Sequence, residues 1–406
     1  MDRKSRFFHG WWVVVGAFAV MFIGFGCAYT FSAFVASLQN EFGASRGSVS
    51  LVFSLAGFLY FGLGVVSGPL ADRWGSKTLA IVGMVLVGAG LAAASVTRSL
   101  GEVYAAYGLG VGLGIGCSYV PVVGAVQRWF VRRRGFASGL AVSGIGVGTL
   151  VMPPLAALLI ELVGWRHAYL VLGVVAALIG VGMALLIEND PRDRGLAPDG
   201  DTTTTGAPLA PASGFSVRQA IASWPFISLY AAALICSFGL FVPFVHLVPY
   251  ALDHGASQSS AVLLLGAIGF GSTAGRFFLG GLADRIGRQM SLMIMFAGMA
   301  LALVVWLLSV AMWSLAVFAL AYGVFYGGFV AVLPALVTDH FGGRRVSAII
   351  GTLYTSVAFG TLVGPSAAGF AFDISHSYML PIVGSIVANV IAASIVAAMA
   401  KPTQTL

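Results

Sequence analysis

Arg276 lies in the stretch GAIGFGSTAGRFFLGGLADRIGR, residues 266–288, eight positions before Asp284 and among Gly, Ala, Ser, Thr, Phe, Ile and Leu. A guanidinium offers a planar fork of N–H donors that matches a carboxylate two bonds at a time. Because arginine keeps its proton, the chemistry open to it here is anion binding and not proton transfer. His246, in FVPFVHLVPYALDHG, is a second polar residue in apolar surroundings. It can hydrogen-bond a ligand or accept a proton near physiological pH. Tyr119, in GIGCSYVPVV, carries a phenol that needs a partner at depth. Tyr29 and Tyr354 are weaker candidates of the same kind, whereas core packing explains Tyr322 and Tyr326 equally well. Asn389 is expected to make an interhelical hydrogen bond, and His254 to sit in solvent just past a helix end.

The elements that position these residues follow from composition. Of 406 residues, 59% are hydrophobic and 9% charged, with mean hydropathy +0.97. Soluble domains carry about a quarter of their residues as Asp, Glu, Lys or Arg, so the chain reads as an integral membrane protein. The net charge of +7 comes from short basic clusters between apolar runs, which indicates membrane orientation and no nucleic-acid partner. Cys27, Cys117 and Cys236 all fall inside apolar runs, so neither a disulfide framework nor a metal site is expected, and no cofactor is called for.

A spanning helix needs about 20 mostly apolar residues, and the sequence divides into twelve such runs. The fold class is therefore all-α membrane protein, with an N-terminal six-helix bundle over 1–187, a linker over 188–223 rich in Pro, Asp and Thr, and a C-terminal six-helix bundle over 224–406. Twelve spans put both termini and the linker on one side. That side holds seventeen of the 21 basic residues and the other holds three, which makes the termini cytoplasmic. The basic residue left over is Arg276.

The two halves repeat. GPLADRWGSK at 68–77 matches GGLADRIGRQ at 280–289, and GTLVMPP at 148–154 matches GTLVGPS at 360–366, both at an offset of 212. Arg133 and Arg345 open matching spans at the same spacing. Asp72, Arg73, Asp284, Arg285, Arg128, Arg133 and Arg345, all near span ends, are expected to stabilise conformations of the halves and not to touch substrate. Eight residues of helix separate Arg276 from Asp284, about 12 Å at ~1.5 Å per residue. That places Arg276 near the midplane of a ~30 Å core, where an arginine costs roughly 2.5–3.5 kcal/mol. All fourteen acidic residues fall at helix ends or in loops, so a built-in salt bridge is not expected and an anionic ligand is.

The doubled G-x-L-A-D-R-x-G loop resembles the signature of the major facilitator superfamily, and the likeness covers the whole chain. HGWWVVVGAF at 9–18 and QRWFVRRRGFASGLAVSGIGVG at 127–148 are similar to signatures of the monocarboxylate transporter family, with oxalate–formate exchangers as a neighbouring group. The resemblance implies a secondary transporter of lactate- or pyruvate-like monocarboxylates, proton-coupled and working by alternating access, in the cell inner membrane. Arg276 would bind the carboxylate, with His246, Tyr119, Tyr29 and Tyr354 assisting. Carboxylate exchange is the alternative. Oxalate exchangers place a lysine in the eleventh span where this chain has Val357, which favours a monoanion. Animal family members carry an Asp four residues before the arginine, where this chain has Ser272, and a Lys in the first span, where it has no charge. The family's proton relay therefore does not transfer, which leaves two routes for a proton: His246 as its acceptor, or a neutral substrate acid that loses its proton on binding. No span contains the carboxylate pair or His cluster that an enzyme would need.

Overall fold

A computed structural model describes residues 8–130, 134–200, 214–309, 311–342 and 346–399. Ten helices are long and apolar enough to cross a bilayer, and the pair Arg46–Gly62 and Gly64–Ala71, bent by 40°, makes an eleventh span. The apolar stretch Phe136–Ala184 is two spans, because Gly164 at φ +78° interrupts the helix. A left-handed φ of this kind suits glycine alone without strain. Among the described residues there are thus twelve spans, the architecture expected from the sequence. In chain order they are Gly10–Phe42, 46–74, Ser76–Ser95, Leu100–Trp129, 134–163, 165–184, Trp224–Asp253, Gln258–Ile286, Arg288–Leu307, Met312–Phe341, Val346–Ser375 and Met379–Ala398. Large apolar side chains such as Leu158, Phe278 and Leu301 face outward, a surface suited to acyl chains and not to water.

Two spans are discontinuous. The first consists of two helices meeting at Thr30, and the seventh of two meeting at Phe241. Those breaks are 211 residues apart, within one residue of the 212 offset of the sequence repeat. Local chemistry accounts for each. Pro243 starts the second piece of the seventh span, where its missing N–H costs least. The Thr30 hydroxyl turns back to the Cys27 carbonyl at 2.6 Å.

The eighth span, which carries Arg276, is held by backbone-to-backbone contact with the tenth. A Cβ on Gly327 would stand 2.0 Å from the Ser272 carbonyl oxygen, and one on Gly275 would stand 2.0 Å from that of Val324. Small residues at such positions let helices approach closely. The fifth span packs on the eighth and the second on the eleventh, so the first six spans meet the last six along two seams.

Candidate functional site

Arg276 is 6% exposed, while its neighbours Phe277 and Phe278 are 44% and 77% exposed on the outer surface. Successive positions on a helix point in different directions, so position 276 alone of the three turns into the bundle. It turns into a narrow cavity at the breaks of the first and seventh spans. Tyr29, Leu240 and Phe241 come from those breaks, and Tyr119 and Tyr354 from the fourth and eleventh spans. Val357, an apolar residue of the eleventh span, also lines the wall.

The protein anchors the guanidinium on one side only. Nη1 donates to Ser272 Oγ at 2.7 Å, one helical turn back. Nε and Nη2 are buried without a hydrogen-bond partner. These two nitrogens form one edge of the guanidinium plane, with N–H bonds aimed nearly parallel, which is the edge that accepts a carboxylate in bidentate fashion. No salt bridge neutralises Arg276 among the described residues. The remaining wall is mostly aromatic. Tyr29 and Tyr326 approach hydroxyl to hydroxyl at 3.4 Å. Tyr119 stacks on Tyr354 with centroids 6.4 Å apart and meets Phe25 edge-on at 5.2 Å. Such a lining can hold one carboxylate with an apolar body, and it offers no second cation to a dianion.

His246 is placed elsewhere. It is 1% exposed but does not line the cavity. Its Nε2–H donates to the Pro365 carbonyl at 2.7 Å, which can only accept, so Nδ1 is left as the acceptor of the Tyr378 hydroxyl at 3.1 Å. Tyr378 accepts in turn from Arg46 Nη1 at 2.9 Å. Arg46 holds Asp253 with two bonds of 2.6 Å and lies 4.1 Å over the Phe372 ring. Asp373 accepts the backbone N–H groups of Arg46 and Gly47, at the positive end of the second span. The sequence expectation of a substrate-facing or proton-carrying His246 thus meets a histidine whose ring nitrogens are both spent on joining the seventh, eleventh and twelfth spans. This network lies at the end of the bundle opposite the linker.

The other expected residues divide. Tyr29, Tyr119 and Tyr354 share the cavity with Arg276, and Tyr326 joins them, which its spacing alone did not indicate. Its face-mate Tyr322 instead donates to the Leu240 carbonyl at 2.8 Å. Asn389 accepts from Cys236 Sγ at 3.5 Å, between the twelfth and seventh spans, and His254 is exposed. Arg128 bonds the Asn189 carbonyl and the Ser76 hydroxyl at the linker end of the bundle, and Arg73 and Arg285 are exposed. Arg133 and Arg345 lie outside the described residues, as do the side chains of Asp72 and Asp284. Ser272 as the anchor of the guanidinium has a sequence signal, a hydroxyl one turn before the arginine, but its aim is visible only in the fold. Among the described residues no cluster of His, Cys, Asp or Glu could hold a metal ion.

Comparison with known proteins sets this geometry in a family. Residues 16–309 and 227–405 match the profile of the Major Facilitator Superfamily. Monocarboxylate transporter 12-B of Danio rerio is 30% identical over 393 residues, covering 91% of this chain and 82% of that protein. Monocarboxylate transporter 11 of Homo sapiens is 29% identical, covering 90% and 77%, and monocarboxylate transporter 2 of Homo sapiens is 29% identical, covering 93% and 83%. Among solved structures, a bacterial homologue of the human lysosomal transporter Spinster superposes with a TM-score of 0.71 at 16% identity, over 97% of this chain and 96% of that one.

Proposed function

Since the chain belongs to the major facilitator superfamily, within its monocarboxylate transporter family, and is a multi-pass membrane transporter and not an enzyme, we propose that it carries small lactate- or pyruvate-like monocarboxylates by alternating access. In this reading the halves 1–187 and 224–406 rock about the cavity, joined by the linker 188–223. Termini and linker face the cytoplasm of a cell whose inner membrane holds the chain, as the distribution of Lys and Arg supports. Transporters of this architecture bind substrate near the midplane at discontinuous helices, and the cavity lies at two such breaks.

The observation that carries the proposal is the unpartnered Nε/Nη2 edge of Arg276, buried in an otherwise apolar chamber. A carboxylate docked there gains two charge-assisted bonds and cancels the buried charge. Tyr119, Tyr29 and Tyr354 form the wall against its apolar body, and Val357 leaves a second carboxylate without a cation. Proton-coupled symport, the coupling expected from the sequence, would draw on His246. That residue bonds Pro365 and Tyr378 and does not line the cavity, so the proposal is confined to carriage of the monocarboxylate.

The test is uptake of labelled L-lactate into proteoliposomes, competed by pyruvate, formate and oxalate. Pyruvate is expected to compete and oxalate to fail. Arg276→Lys keeps the charge but loses the fork, and it should lose most uptake while still folding. Near wild-type uptake by that variant would sink the role given to Arg276.

A further inference from the structure

We propose that Tyr107 and Tyr322, which lie behind the cavity wall, are positioning residues for the substrate. Each clamps the helix end from which one aromatic ring of the wall projects, and together they fix the surface that the apolar body of the monocarboxylate meets. The inference rests on the reading of the cavity as the substrate site and assigns to that site two residues that do not line it.

The clamps sit at the two helix breaks. A helix leaves its last four carbonyls without an intrahelical donor, and the first pieces of the broken spans one and seven end at Tyr29 and Leu240. The Tyr107 hydroxyl, from span four, donates to the Ala28 carbonyl at 2.9 Å. The Tyr322 hydroxyl, from span ten, donates to the Leu240 carbonyl at 2.8 Å. In each case the next residue along the chain puts a ring into the cavity wall, Tyr29 after Ala28 and Phe241 after Leu240. These two rings, one from each half of the molecule, stack with centroids 6.4 Å apart and planes 26° from parallel. Both clamping tyrosines are fully buried, and neither lines the cavity.

Ordinary burial does not account for the pair. Tyr169 is buried as deeply, and its hydroxyl has no hydrogen-bond partner among the described residues. The acceptors are repeat mates, since Ala28 and Leu240 are 212 residues apart, the offset of the sequence repeat. The donors are not, because 215 residues separate Tyr107 from Tyr322. Spans four and ten begin at Leu100 and Met312, also 212 apart, so Tyr322 stands three residues deeper in its span, close to one helical turn. Tyr107 lies in the π-helical stretch Tyr104–Leu109, whereas Met312–Phe341 is α-helical throughout. Duplication alone would place a tyrosine at matching positions. Here the residue moves and the bond to the matching carbonyl stays, which points to a demand for the bond itself.

What the bond supplies is rigidity at the point where helical hydrogen bonding lapses. A ring that follows an untethered helix end samples several placements, and binding must then bear the cost of ordering it. With both ends tethered the rings stand ready, and that cost is met when the protein folds. Arg276 is anchored on its own helix, through Ser272, so the clamps act on the body of the substrate and not on its charge.

The test replaces each tyrosine by phenylalanine, which removes the hydroxyl and keeps the ring. Labelled L-lactate uptake is measured with the full chain in proteoliposomes for Tyr107→Phe, Tyr322→Phe and Tyr250→Phe. Tyr250 donates to the Ser309 carbonyl at 2.7 Å and lines no part of the cavity, so its variant loses a bond of the same kind elsewhere. KM for lactate should rise at least about fivefold in each clamp variant, with the maximal rate per folded carrier unchanged, and should keep its wild-type value in Tyr250→Phe. Inhibition of lactate uptake by acetate, propionate and butyrate should weaken most for butyrate, because Arg276 holds all three carboxylates alike and the rings meet only the chain. Wild-type KM in both clamp variants would overturn the inference and leave monocarboxylate carriage standing, as would an equal rise in Tyr250→Phe. Equal weakening for the three acids would mean a general loosening and would overturn it too. No flux of lactate or pyruvate by the wild type would overturn the substrate reading and this inference together. If one clamp variant does not fold, the other decides.

Discussion

Replacing Arg276 by Gln should make the empty protein more stable and blind to its substrate at the same time. In the wild type, Nε and Nη2 are buried without partners. A buried unsatisfied donor costs about 1–3 kcal/mol and a charged one more, so the two together cost roughly 2–6 kcal/mol. Water in the cavity recovers part of this, which makes the lower end, about 2 kcal/mol, the working figure. Glutamine removes the charge and can still meet the Ser272 hydroxyl. On the ligand side the variant forfeits two charge-assisted bonds of about 1.5–3 kcal/mol each. Affinity should then fall by roughly 10²–10⁴-fold, at about 1.4 kcal/mol per tenfold. The assay is thermal unfolding of the detergent-solubilised protein with and without lactate. Wild type should unfold early when empty and be raised by ligand, by an amount equivalent to about 2.7 kcal/mol at a hundred times Kd. The variant should start higher and not move. A variant that is less stable when empty, or that still responds to lactate, would refute the claim that Arg276 is an unpaired cation awaiting an anion.

The other predictions concern the frame around the site. His246→Ala should cost about 1–3 kcal/mol by removing its two buried hydrogen bonds, to the Pro365 carbonyl and from the Tyr378 hydroxyl, at about 0.5–1.5 kcal/mol each, with the lactate-induced thermal shift retained. Loss of that shift at unchanged stability would return His246 to the binding site. Gly327→Ala puts a methyl group 2.0 Å from the Ser272 carbonyl oxygen, forcing apart the backbones that aim Arg276. Overpacking of this kind costs about 1–3 kcal/mol or more, so folded yield and lactate affinity should fall together, whereas Gly139→Ala, with nothing within 4 Å of the added carbon, should leave affinity unchanged. At the linker end, Arg194 hydrogen-bonds Glu188 and holds its carboxyl below the usual range against partial burial, with help from the charges of Arg194, His9 and Lys77. Because the folded value is the lower one, the pair stabilises above the unfolded pKa of about 4.3 and its contribution is lost as pH falls through the folded value. Arg194 is half exposed, so Glu188→Gln should cost only about 0.2–1 kcal/mol at pH 7, and the difference from wild type in thermal unfolding should vanish in acid.

Sequence by itself determined the parts of this protein that depend on one-dimensional quantities. Span count follows from apolar run length against bilayer thickness, and the isolation of Arg276 follows from where fourteen acids fall along the chain. The helical breaks at Thr30 and Phe241 were only half legible. Pro243 marks the second, but nothing around Thr30 forbids a continuous helix. Tertiary structure decided what depends on direction. His246 and Arg276 are both lone polar residues deep in apolar spans, and their sequence surroundings do not tell them apart. Packing turns one towards the Pro365 carbonyl and Tyr378 and the other into a chamber where half its donors stay open. Tyr322 and Tyr326 likewise share a helical face, yet one meets a carbonyl at the seventh-span break and the other reaches the cavity. Depth in the membrane is a property of the sequence run. The partner a buried polar atom finds is set by helices hundreds of residues away, and that partner separates a structural hydrogen bond from a binding site.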